Sequence, residues 1–361
     1  MNRTNRSPDG VLADATFGAL QAGWREPVGA DADHLKTPAD IDACAAAGFS
    51  FFTIDPNAHV NDAAEGMQAG ALEAAAAALP WAGLETSQAD FMARYAGKTV
   101  DLDDRRVVIG PADAARAAVK YGGAVAHVVA MQRHLATRLA AYDLEVSVDE
   151  TESPTSLGEH IIIASELKRL GVPVVSLAPR FVGRFEKGVD YIGDLGALRD
   201  NLNAHAAIAR AFGPYKLSLH SGSDKFSVYP LIVAATRGVA HLKTAGTSYL
   251  EGLRVIASGE PSLFRQIVAL ARERYETDKL TYHVSALLAR VPAPEGVRDA
   301  DLPGLLDDFD TRQALHVTFG SALATYGPRI MAALAAREEA YAAGLERHFV
   351  RHLSPFARAN G

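Results

Sequence analysis

"LEVSVDE" occupies residues 144–150 of a 361-residue chain, and the way it alternates decides the fold. Successive side chains of a strand point to opposite faces, so Val146 and Val148 share one face while Ser147 and Asp149 share the other. The same split recurs at "FFTIDP" (51–56), "YKLSLHS" (215–221), "VAHLKT" (239–244) and "ALHVTFG" (314–320). There Ile54 opposes Thr53 and Asp55, Leu217 and Leu219 oppose Ser218 and His220, Leu242 opposes His241 and Lys243, and Leu315 and Val317 oppose His316 and Thr318. A doubly wound sheet, covered by helices on both sides, calls for two apolar faces. A (β/α)8 barrel of the TIM type buries aliphatics under its helices and can turn ionisable groups inward. The alternation therefore favours the barrel, with its site at the carboxyl ends of the strands, where Asp55, Asp149, His220 and Lys243 fall.

Two further apolar runs, "FGALQAGW" (17–24) and "VPVVSLAP" (172–179), bring the expected strands to seven. Helix ends between them are legible. Thr37 before Pro38 reads as an N-cap and Gly48 as a stop; Ser156 with Glu159 reads as a capping box and Gly171 as a stop. We expect one barrel domain over 11–361, with residues 60–140, alanine-rich and far longer than an ordinary crossover, as a mainly helical insertion. Seven strands are one short of closure. Either "KLTYHVSALL" (279–288) is the eighth, or the barrel lacks its first, N-terminal strand.

Composition sets outer bounds. At 48% hydrophobic and 22% charged residues, the chain suits a globular protein with a full core. Its net charge of -7, and the absence of a basic run interleaved with aromatics, argue against a nucleic-acid partner. The single cysteine, Cys44, rules out an internal disulfide or a cysteine-based zinc cluster and fits the cytoplasm. The polar start "MNRTNRSPDG" lacks the core of a signal peptide, and no stretch reaches the about 18 apolar residues of a membrane helix. Dinucleotide, P-loop and serine-hydrolase signatures are absent.

What remains is the inward set. One barrel mouth gathers the carboxylates Asp55 and Asp149, the imidazoles of His220 and His241 and the amine of Lys243, groups that are unstable when buried unless paired or bound to a metal. A mixed histidine and carboxylate shell suits a divalent cation, with Mn, Co, Ni, Zn and Fe equally open. His316, deeper in its strand, reads as a core histidine, with His241 balanced between core and site. Glu150 and Glu152 either point inward or cap the next helix. His348 and His352 read as residues of a surface helix. The tetrapeptide "HLKT" occurs at 34–37, read as a loop whose Thr37 caps a helix, and at 241–244, read as a strand entering its loop. The copies are thus read as a coincidence rather than as structural equivalents. Both nevertheless lie beyond strand ends, and "DADH" (31–34) adds Asp31, Asp33 and His34 as a base or ligand group, or a solvated acidic turn.

"LQAGWREPVGADADHLKT" (20–37), "FTIDP" (52–56), "SVDETESPTS" (147–156), "APRFVGRFEKGVDY" (178–191), "LSLHSGSDKFSVYP" (217–230) and "HLKTAGTSYLE" (241–251) together resemble the tagaturonate epimerase family of bacterial hexuronate catabolism. The likeness runs from about residue 15 to near the C-terminus. It implies a barrel, a divalent metal cofactor, and interconversion of D-tagaturonate and D-fructuronate. It also implies Asp33 as proton acceptor, Glu150 as proton donor, and His34 and His220 among the metal ligands. The reading of the strands nominates His241 as the third ligand. Asp55 and Asp149 are read as substrate-binding residues, and Arg180, Lys225 and Lys243 are the candidate cations for the substrate carboxylate. Relatives carry an additional N-terminal segment, which agrees with a missing first strand. Because the two sugars differ at the hydroxyl-bearing carbon β to the ketone, simple enolisation does not invert it; a retro-aldol route does, with proton transfer at that carbon as the alternative. The rival functions are a metal-dependent aldolase or sugar isomerase on the same barrel, and a non-catalytic truncated sugar-acid binder.

Overall fold

A computed structural model describes residues 6–357 except Pro27, Asp104 and Ala245. Strands in chain order are β1 (Asp31–Leu35), β2 (Phe51–Ile54), β3 (Lys98–Asp101), β4 (Arg106–Ile109), β5 (Asp143–Val148), β6 (Val174–Pro179), β7 (Lys216–Leu219) and β8 (Ala240–Leu242). Six form one parallel sheet in the order β1-β2-β5-β6-β7-β8, while β3 and β4 make a separate antiparallel hairpin. The ladder sets Thr53 beside Glu145, Ser147 beside Ala178 and Ser218 beside His241. One sheet face therefore carries polar side chains on β2, β5, β7 and β8, interrupted at Ala178 of β6. On the other face Ile54, Val146, Val148 and Leu177 pack with Tyr121, Val125 and Val128 of the helix Pro111–Ala136 and with Ile163 and Leu167 of the helix Leu157–Arg169. Leu217 and Leu219 pack with Leu198, Leu202 and Ile232. Each such side chain contributes about 1.5–3 kcal/mol by burial.

The sheet is rolled. β1 and β8 are its two edges, yet Lys243, one residue beyond β8, reaches Asp31 Oδ2 at 3.2 Å and also bonds Asp33, both on β1. The seam is crossed by ion pairs, not by a ladder, and among the described residues no seventh or eighth strand closes it. The architecture is a partial barrel of six strands flanked by helices.

Three expected strands are corrected. Residues 17–21 end the helix Pro8–Gln21, which Ser7 caps by accepting from the Gly10 N–H and which Pro8 begins; Phe17 and Leu20 lie exposed on it. Residues 314–317 end the helix Phe309–Val317, capped by Asp308 accepting from Thr311 N–H, and 319–320 begin the next, Phe319–Ala335. An apolar run of that length does not by itself separate strand from helix, and the cap decides. The stretch 279–288 is a short 3-10 turn, Lys279–Thr281, followed by an irregular segment to Leu287. In exchange the polar "DADHL" is a strand, β1, so the first "HLKT" begins on one edge strand and the second on the other. The expected helix starts at Thr37 and Ser156 are both capping boxes, and Gly48 (φ 97°) and Gly171 (φ 73°) end their helices in the left-handed region that glycine adopts freely. Residues 60–140 hold the β3–β4 hairpin as well as helices, and their longest helix, Pro111–Ala136, covers the sheet.

Candidate active site

Glu145 is the centre of the inner face and was not singled out by the sequence reading, although it shares parity with Ser147 and Asp149. Its side chain is wholly buried and accepts hydrogen bonds from His220 Nε2 (2.7 Å), His241 Nδ1 (2.6 Å) and Thr53 Oγ1 (3.2 Å), with Lys243 Nζ at 3.1 Å. Burial alone raises a carboxyl pKa. Here the bonds from the two imidazoles and the Lys243 charge outweigh it and hold Glu145 well below the usual range. A buried glutamate in an aliphatic run was the available signal, since such a residue is stable only among donors.

Lys243 joins this group to β1. Burial lowers an amine's pKa, but Glu145, Asp33 and Asp31 together raise it, so the amine stays charged. Asp33 and His34 are adjacent residues that both face the site, which a regular strand forbids. His34 has φ 58°, and the β1–β2 register shifts between Ala32 and Leu35. This bulge re-aims the side chain. His34 Nδ1 donates to Asp33 Oδ1 at 2.5 Å and its Nε2 stands 3.6 Å from Glu150 Oε1. Burial opposes charge on this ring, yet Asp33 and Glu150 push its pKa up to about 10. Asp33, for its part, stays well below the usual carboxylate range: burial raises its pKa, but His34 and Lys243 prevail.

His220 is buried with Nδ1 3.3 Å from Asp149 Oδ1, and its ring centroid lies 5.3 Å from that of His34. Burial pulls its pKa down while Asp149 and Glu145 push it up to about 9. Asp149, partly buried, also accepts from Ser147 Oγ at 2.5 Å, and although burial opposes its charge its pKa falls to about 2 beside His220. One ligand atom each from His34, Asp149 and His220 lie within 4.8 Å of one another, as do ligand atoms of His34, Asp55 and Glu150. His241 belongs to neither group; its Nδ1 donates to Glu145. Asp55 accepts from Asn57 N–H at 2.9 Å and pairs with Lys36 at 3.2 Å.

A cavity of about 330 Å³ opens beside Asp149, Glu150 and His220. Arg180, Arg184, Lys187 and His283 also line its wall, together with Glu186, and of these only Arg180 is among the residues expected from the sequence. The stretch considered as one alternative for an eighth strand supplies part of this wall: Glu186 accepts from Ser285 N–H (2.9 Å) and Oγ (2.7 Å) and from Gln313 Nε2 (2.9 Å), tying residues 282–285 in place. Lys225 does not line the cavity. Its buried amine donates to the carbonyls of Glu186 (2.8 Å), Val189 (2.5 Å) and Ser223 (3.0 Å), and burial brings its pKa down to about 8. His316 is a buried residue outside this site, as the sequence indicated, whereas His348 and His352 are buried rather than on the surface.

A family model for tagaturonate epimerase matches residues 1–356. A curated Thermotoga maritima protein named tagaturonate/fructuronate epimerase is 43% identical over 353 residues, which is 97% of this chain and 72% of that protein. Crystal structures of the fructuronate-tagaturonate epimerase UxaE from Cohnella laeviribosi, native and with one glycerol bound, superpose with TM-score 0.93 at 35% identity, covering 99% of this chain and 74% of theirs. Among the described residues no helix is long and apolar enough to cross a membrane.

Proposed function

Since the chain belongs to the tagaturonate epimerase family, we propose that it interconverts D-tagaturonate and D-fructuronate, using a divalent cation held by His34, Asp149 and His220. The observation that carries this reading is the match of that family over residues 1–356 to a chain whose inner face gathers these side chains beside a cavity with a cationic wall. The donor set fits such an ion. Two imidazoles and a carboxylate within 4.8 Å suit Mn, Co, Ni, Zn or Fe. The carboxylates Asp31, Asp33, Asp55, Glu145, Asp149 and Glu150 also outnumber the lysines that touch them, Lys36 and Lys243. Bound there, the cation would supply a Lewis acid for developing negative charge on substrate oxygen.

The substrate is a six-carbon sugar acid, and its carboxylate is assigned to Arg180, with Arg184 and Lys187 on the same wall. Asp33 takes the proton of the hydroxyl on the carbon to be inverted. The bond from that carbon to its neighbour next to the ketone then breaks, its electrons forming an enediolate and the hydroxyl carbon becoming an aldehyde. The aldehyde turns its other face while its carboxylate stays held, the bond re-forms, and a proton returns to the new hydroxyl from Glu150, which must first take up a proton because His34 beside it holds its pKa down. Asp33 is a weak base as long as both His34 and Lys243 donate to it, so its proton transfer awaits the release of one of them. A single buried cysteine suits the reducing cytoplasm, where we place the reaction.

The test strips the protein with chelator, adds back Mn, Co, Ni or Zn separately and follows D-fructuronate by NMR. Metal-dependent appearance of D-tagaturonate, with traces of three-carbon fragments, is expected. No conversion by folded, metal-loaded protein would favour a non-catalytic sugar-acid binder, and solvent deuterium at the inverted carbon without fragments would replace the retro-aldol route by deprotonation there.

A further inference from the structure

Away from the cavity, a second group of ligand atoms converges. Asp224 lies in the loop after β7, while His348 and His352 lie one turn apart on the helix Glu338–Ala357, and all three are buried. His348 Nδ1 stands 4.0 Å and His352 Nε2 3.9 Å from Asp224 Oδ1. These separations are too long for hydrogen bonds, yet all three ligand atoms lie within 4.8 Å of one another. We propose that Asp224, His348 and His352 form a second divalent-cation site, of the zinc class, which clips the C-terminal helix to the loop that follows His220.

The atoms behind the three ligands support this. Histidines that bind metal donate their other ring nitrogen to a carbonyl or similar acceptor, which leaves the ligating nitrogen bare and aimed. His352 Nδ1 donates to the His348 carbonyl at 2.7 Å, His348 Nε2 meets Thr247 Oγ1 at 3.3 Å, and Asp224 Oδ2 accepts from Arg312 at 3.1 Å, leaving Oδ1 toward the rings. Histidines four residues apart on a helix share one face. A tetrahedral ion with bonds of about 2.0–2.1 Å sets its ligands roughly 3.4 Å apart, so closing the site needs the two imidazole–carboxylate separations to contract by about half an ångström and the imidazole pair, within 4.8 Å, to close to the same spacing. One contact competes: His352 Nε2 accepts the Asp224 backbone N–H at 3.0 Å and must exchange it for the ion. Asp224 and His348 also line a cavity of about 280 Å³ with Glu251, which provides an entry path and an adjacent carboxylate.

Zinc capacity separates this site from the one that includes His34. The chelated full chain is loaded with Zn2+, desalted, and its zinc per chain counted by mass spectrometry, with circular dichroism melts in parallel. Two ions are expected for the wild type and one each for H348Q, D224N and H34Q, and zinc should raise the wild-type melting temperature more than that of D224N. Asp224 has φ 60°, a conformation asparagine tolerates, so D224N keeps the loop and serves where H348Q disturbs the helix. Undiminished zinc in folded H348Q and D224N, or a single wild-type ion that H34Q removes, would overturn the proposal. Neither result depends on turnover of a hexuronate.

Discussion

Glu145 holds His220, His241 and Lys243 by one carboxylate, so replacing it separates the roles of charge and shape. Glu145→Gln keeps the volume but removes the charge that three donors share. We expect it to destabilise the fold by about 3–5 kcal/mol, as when one partner of a buried ion network is removed, and to lower activity by roughly 10–100-fold, as when a group orienting metal ligands is lost. Urea titration and steady-state kinetics check the two; an unchanged melting point would show that the network is not holding the sheet. Lys225 makes the contrasting case. Its type and place beyond a strand end suggested a substrate cation, but its amine serves three carbonyls. Lys225→Met should therefore cost about 3 kcal/mol or more in stability and leave KM unchanged in the folded fraction, whereas Arg180→Met should raise KM.

Between residues and the whole lie the elements, where caps and turns were legible and edge strands were not. Thr37 and Ser156 announce helices because a hydroxyl three residues before an acidic side chain closes both ends of a local bonding pattern. β1 did not announce itself because its inward positions are Asp31 and Asp33, residues with poor strand propensity that are held in place by Lys243 from the opposite edge. The loop after β7 offers a test. A Cβ on Gly222 would lie 2.8 Å from the Leu219 carbonyl oxygen and 2.9 Å from that of Lys243. Gly222→Ala should accordingly lower the melting temperature by several degrees and reduce activity together with it, since His220 and Lys243 flank the displaced backbone; a fully active G222A would show that the loop can yield without moving either.

Taken whole, the molecule stacks the rolled sheet and its covering helices against an all-helical C-terminal part with its own apolar core around Leu253, Phe264, Ile267 and Leu315. Stability of the metal-free protein should depend on pH through His34 and His220, whose pKa values rise to about 10 and about 9 in the folded state. A group whose pKa is raised on folding stabilises most below its unfolded value, about 6.5. That contribution is lost as pH climbs through the folded values. The melting temperature should fall by several degrees between pH 7 and pH 10, while affinity for a divalent cation, which needs bare imidazole nitrogens, should rise over the same interval. In H220Q the thermal slope should flatten, and a slope identical to wild type would remove His220 from this account.

The amino-acid sequence by itself determined the parallel α/β class, five of the six sheet strands, the main helix starts, the family, and the gathering of Asp33, His34, Asp149, Glu150 and His220 near strand ends, because each rests on local periodicity, local capping or contiguous motif. Only the tertiary structure decided that the sheet has six strands with Lys243 bridging its edges, that His241 turns to Glu145 rather than to His34, that Lys225 is sealed away, and that His348 and His352 meet Asp224. Those facts depend on which distant groups satisfy a buried charge, and pairings across as many as 210 residues, as between Asp33 and Lys243, leave no periodic trace in a chain.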